Sequence, residues 1–90
     1  MNEIIYVSDT LELAETTNIN DHMPKMMDMA VKFEMTLTIM EEENKQLIMF
    51  TYNSPKMLEF GEMKYLDERF DVAVKELREF MKAKGYKMLN

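Results

Sequence analysis

The chain has no cysteine and no tryptophan, only two glycines and two prolines, and a single histidine in 90 residues. Each scarcity removes a class of chemistry. Without cysteine there is no disulfide, no zinc–thiolate centre and no thiol nucleophile, and the composition suits a reducing compartment. The two glycines, Gly61 and Gly85, lie far apart, so no glycine-rich loop can cradle a phosphate. The lone histidine is His22, and the only serines are Ser8 and Ser54, both in positions that read as turns or caps. A nucleophile–base pair of the hydrolase kind lacks its parts, and enzymatic activity is not expected. No apolar run exceeds four residues, whereas a membrane-spanning helix needs about 20. The first residues, Met1-Asn-Glu-Ile, carry neither a basic leader nor a long apolar stretch. No secretory signal is therefore expected, and the expected location is the cytoplasm, of the chain's own cell or of a host cell.

What is present describes a folded domain. The hydrophobic fraction of 47% and charged fraction of 31% are those of a soluble globule, and 90 residues make one domain, 1–90, with one modest core. The 12 methionines read as adaptable core filling. The net charge is −6, and phosphate binding needs clustered Lys and Arg, so neither nucleic acid nor an anionic membrane is expected as a direct partner. The acidity is not evenly spread. Residues 62–84 hold six acids and six bases, whereas residues 1–61 hold eleven acids against four bases, a balance of −7.

Residues Glu62–Lys84 show the strongest periodicity. Met63, Leu66, Phe70, Ala73, Leu77 and Phe80 recur at spacings of three and four, one stripe of a helix, and Val74 and Met81 widen it. Acids cluster near the start, bases near the end, and Gly85 follows as a left-handed stop. Residues 32–39 alternate, with Phe33, Met35, Leu37 and Ile39 on one side, and a second strand over Gln46–Tyr52 presents Ile48, Phe50 and Tyr52. Joining these bulky faces requires opposed residue numbers with an odd sum. A turn at Asn44-Lys45 satisfies this, setting Ile39 opposite Phe50 and Leu37 opposite Tyr52; a four-residue loop of the same parity is the alternative.

The remaining segments read as a strand over 2–8 and, over Leu11–Thr17, a second strand turned back on the first near Ser8–Thr10, with a short helix as the other reading. A loop over 16–21, a short helix over His22–Ala30 and a helical turn over Lys56–Phe60 broken at Gly61 complete the chain. Tyr86, Met88 and Leu89 form a tail that docks on the sheet or on a partner. The expected fold is α+β: a small antiparallel sheet of three to four strands with the long C-terminal amphipathic helix packed on one face. Ile4, Tyr6, Phe33, Met35, Leu37, Ile39, Ile48, Phe50, Tyr52, Leu66, Phe70, Ala73, Leu77 and Phe80 are the expected core.

Two clusters stand out. Glu41-Glu42-Glu43 places three carboxylates at a hairpin tip, with Glu34, Glu12 and Glu15 as candidate neighbours. The spacing fits no calcium loop, so the expectation is surface charge offered to a basic groove on another protein, with no metal and no cofactor. The other cluster, His22-Met-Pro-Lys-Met-Met-Asp-Met, holds soft ligands at a density that suits Cu(I), or else a short helix packing through Met. A small, acidic, cysteine-free chain without a catalytic set is expected to be a non-enzymatic binding module. In its concrete form it is an inhibitor and nucleic-acid mimic acting as phage-encoded anti-CRISPR proteins do. The alternative is a homodimeric structural or accessory protein that pairs through an edge strand, the outer hairpin face (Thr36, Thr38, Met40, Met49 and Thr51) or the tail. A Met-rich copper carrier is the third reading.

Overall fold

A computed structural model describes residues 3–14 and 19–90. The chain runs β1 (Ile4–Val7), β2 (Leu11–Ala14), a single 3₁₀ turn (Ile19–His22), α1 (Met23–Lys32), β3 (Thr36–Glu42), β4 (Lys45–Ser54) and α2 (Phe60–Ala83). The expected class holds: an antiparallel four-stranded sheet with the long C-terminal helix. No helix among the described residues is long and apolar enough to cross a membrane.

β4 is the spine of the sheet. β3 pairs with it along one side, from Thr36 opposite Thr51 to Glu42 opposite Lys45. The other side is shared end to end by β1, which has Val7 opposite Thr51, and β2, which has Leu11 opposite Ile48. β2 therefore does not fold back on β1, as the alternation at Leu11–Leu13 led one to expect. Three residues, Ser8–Thr10, pass two on β4, Met49 and Phe50, and this extra residue bends the edge as a bulge does. Ser8 bridges the bend. Its N–H donates to the Phe50 carbonyl at 2.9 Å, and its hydroxyl oxygen accepts from the Phe50 N–H at 2.9 Å.

The hairpin keeps the expected parity but slides by two residues: Leu37 faces Phe50 and Ile39 faces Ile48. The cause lies in the turn. Asn44 takes positive φ (64°) as the second loop residue, after Glu43, so Lys45 is the first residue of β4 rather than part of the turn. β3 also begins later than expected, because α1 runs two residues past Ala30. Glu34 then takes φ 58°, and the Met35 N–H reaches the Ala30 carbonyl at 2.8 Å, an αL stop that usually requires glycine. α2 ends in the same manner at Gly85 (φ 90°), with the Tyr86 N–H on the Met81 carbonyl. At its start, no helical turn forms over 56–59. Instead α2 passes straight through Gly61, and the Glu62 carboxylate accepts from the Glu59 N–H at 3.1 Å.

Both helices cover the same sheet face. α2 buries Leu66, Phe70, Ala73, Leu77 and Met81, and α1 buries Met26, Met29 and Ala30. These meet Leu11, Leu13, Ile48 and Phe50 from the sheet. Met63 of the expected stripe lies at its exposed margin, and Phe60, at the first helical position, is 84% exposed. The tail docks on the sheet. Met88 sits opposite Leu13, the Ala14 N–H donates to the Lys87 carbonyl at 3.0 Å, and the Leu89 N–H donates to the Glu12 carbonyl at 2.8 Å. The Asn90 carboxamide completes the closure, accepting from the Glu12 N–H and donating to the Thr10 carbonyl.

Candidate functional site

The acidic tip is built by the tightest feature of the hairpin, its two-residue loop. Glu41 and Glu42 close β3, Glu43 opens the turn, and all three are exposed. β2 brings a fourth carboxylate alongside, because Glu12 lies opposite Leu47 and next to Lys45 on the same edge of β4. Lys45 Nζ lies 2.8 Å from Glu12 Oε1 and 3.7 Å from Glu42 Oε2. The hydrogen bond from Lys45 to the Glu12 carboxylate is the main cause of an ammonium pKa above its usual value, with further attraction from Glu12 and Glu42. The lysine thus holds two of the four carboxylates in place and leaves Glu41 and Glu43 facing solvent.

The other candidates are placed differently. Glu34 stands two residues before β3, beyond the end remote from the tip, with its carboxylate 4.0 Å from Arg69. It belongs to the helix stop and not to the tip. Glu15 lies outside the described residues. The outer hairpin face is exposed in part, although Leu47, which lies on it opposite Met40 and Glu12, is buried. Thr36, Thr38, Met40, Met49 and Thr51 share it with Val7 and Ile5, which are 56% and 62% exposed.

The methionine cluster is largely interior. Met26 and Met29 are buried in the core, Met23 packs against it, and Met27 points outward. The His22 ring stands edge-on between Phe80 and Tyr86, with centroids 5.5 and 5.3 Å away. Among the described residues, no three His, Asp or Glu side chains are arranged to hold a metal ion.

One acidic region was not legible beforehand. Asp9, just past β1, faces Asp67 and Asp71 of α2 across a cleft of about 330 Å³ completed by Val7, Ser8 and Phe70. On the other side of the same helix ridge, Phe60, Met63, Lys64 and Glu68 join Asp67 and Asp71 around a groove of about 350 Å³. Balanced charge totals over 62–84 concealed it, because four of the six acids lie before residue 73 and four of the six bases after it. Val7 sits opposite Thr51, so this region is six positions, about 20 Å, along β4 from Lys45.

Comparison of the chain with known protein families, with curated proteins and with solved structures returned no match.

Proposed function

We propose that the chain is a non-enzymatic protein-binding module whose acidic hairpin tip, Glu41–Glu43 with Glu12 beside it, engages a basic surface of another protein. The observation that supports this reading is three consecutive exposed carboxylates, two closing β3 and one opening the two-residue turn, flanked by a fourth. Carboxylates gathered at one protruding tip can take the place of phosphates against Lys and Arg. The partner chemistry that fits is therefore a Lys- and Arg-lined groove that otherwise holds phosphates, and the activity is inhibition by occupying it, as phage-encoded anti-CRISPR proteins do. Such a partner places the chain in the cytoplasm, its own cell's or a host's, in line with its lack of cysteine.

The test is capture of partners from lysate at low salt, elution along a salt gradient, and competition with duplex and single-stranded nucleic acid. A basic nucleic-acid-binding protein should elute at moderate salt, be displaced by the competitor, and be lost from a Glu41→Ala/Glu42→Ala/Glu43→Ala chain. Retention unchanged in that triple variant, or a complex indifferent to molar salt, overturns the reading.

A further inference from the structure

The two long sides of the sheet are finished differently. On one side, the edge bends at Ser8, and the tail covers β2 through hydrogen bonds at Glu12 and Ala14. On the other side lies β3, seven residues long, in unbroken register with β4, and no strand pairs with its outer side among the described residues. Thr36–Glu42 contains no proline, no lysine and no bulge, and of the devices that usually blunt an open edge it carries only the charges of Glu41 and Glu42 at one end.

The direction of β3's backbone groups follows from two separate observations. The N–H and C=O of Phe50 both engage Ser8, on the side away from β3. The Leu37–Phe50 pair is therefore a non-hydrogen-bonded one, and Leu37 turns its own N–H and C=O outward. Independently, a two-residue loop closes on a hydrogen-bonded pair, here Glu42–Lys45, and alternation assigns Met40, Thr38 and Thr36 to the same set. Both routes leave Leu37, Ile39 and Glu41 with outward-facing N–H and C=O groups.

We propose that β3 is a self-pairing edge: two copies of the chain join antiparallel through it, about a two-fold axis at Ile39, into one continuous sheet. In this register Ile39 meets its own copy, Leu37 meets Glu41 of the other chain, and every outward N–H finds a carbonyl, as an isologous contact requires. On the outer face Thr38 meets Met40, and on the core face the half-buried Leu37 and Ile39 gain cover. Charge selects the antiparallel arrangement. Parallel pairing sets two Glu41–Glu43 tips side by side, whereas antiparallel pairing sends each tip toward the opposite end of its partner. That end is not a second bare acidic tip: Lys32, paired with Glu76 at 2.9 Å, and Arg69, which donates to the Phe33 carbonyl and lies 4.0 Å from Glu34, line with Phe33, Glu34 and Tyr65 a groove of about 350 Å³. This assembly stands apart from the reading of the tip as a ligand, and either can fail without the other.

The experiment is light scattering and sedimentation of the full chain from micromolar to millimolar concentration, the range suited to a small edge-strand contact. Glu41→Pro removes an outward N–H that faces no strand among the described residues, at an edge position where proline is tolerated. Glu41→Ala removes the same carboxylate and keeps the N–H. The wild type and Glu41→Ala should double in mass with concentration, and Glu41→Pro should associate roughly ten- to a hundredfold more weakly. Amide exchange of the wild type supplies a readout that needs no variant. Leu37, Ile39 and Glu41 should gain protection as concentration rises, whereas Thr36, Thr38 and Met40 should be protected throughout. A chain monomeric at millimolar concentration, a Glu41→Pro chain that dimerises like the wild type, or exchange at Leu37, Ile39 and Glu41 that ignores concentration overturns the proposal.

Discussion

Ser8 performs a task that backbone normally performs. Where the edge bends between β1 and β2, the Phe50 N–H would face no carbonyl, and the Ser8 hydroxyl oxygen takes that place at 2.9 Å in a buried setting. Ser8→Ala leaves that buried donor unsatisfied, which costs about 1–3 kcal/mol. At about 4–8 °C per kcal/mol for a domain of this size, a thermal melt should show a clear drop. A melt within experimental scatter of the wild type would mean that water replaces the hydroxyl. Glu34 and Gly85 make a second point at this scale. They occupy equivalent positions after α1 and α2, both with positive φ, yet only Gly85 could be recognised as a stop from the chain alone. Phe33 and Met35 sustain an alternating pattern around Glu34, so the helix stop was hidden inside what reads as a strand.

At the scale of elements, legibility follows the range of the interactions. α2 could be read because 24 residues of periodic pattern lie within one segment. The parity of the β3–β4 hairpin could be read because alternation and one short loop determine it. Its exact register depended on which loop residue takes positive φ, a matter of one torsion angle. The pairing of β2 could not be read, because its partners are residues 45–48 on one side and 87–90 on the other. Four residues with two leucines carry no record of either. The candidate site divides in the same way. Glu41–Glu43 is contiguous in sequence and was legible, whereas the cleft of Asp9, Asp67 and Asp71 joins two distant segments and was not. The tail can be tested as an element. Deleting Lys87–Asn90 uncovers one side of β2, so the Glu12 and Ala14 amides should exchange at least about tenfold faster, while Leu11 and Leu13, whose bonds run to β4, should change less. Equal acceleration at all four would show that β2 detaches as a whole when the tail is lost.

For the whole molecule, charge and stability pull against each other. A net charge of −6 destabilises a compact state through self-repulsion, and three adjacent carboxylates at one tip concentrate that effect. The ion pairs of Lys45 with Glu12 and Glu42 relieve part of it, and they are solvent-accessible enough for salt to screen them. Glu41→Ala/Glu42→Ala/Glu43→Ala should therefore raise stability by roughly 0.5 kcal/mol at low ionic strength, a gain that shrinks as salt is added. Chemical denaturation at two salt concentrations measures it. A triple variant less stable than the wild type would show that the carboxylates hold the hairpin together, and would weaken the case that they are kept for binding.

The sheet is wired as a star. Among the described residues, β1, β2 and β3 each pair with β4 and not with one another, so β4 is a hub and the rest are spokes. A spoke can detach and leave the other two in place, but losing the hub dissolves the sheet at one stroke. Partly open forms of this fold must therefore be built around an intact Lys45–Ser54. Tolerance to substitution should be lowest along those ten residues and should rise outward along each spoke.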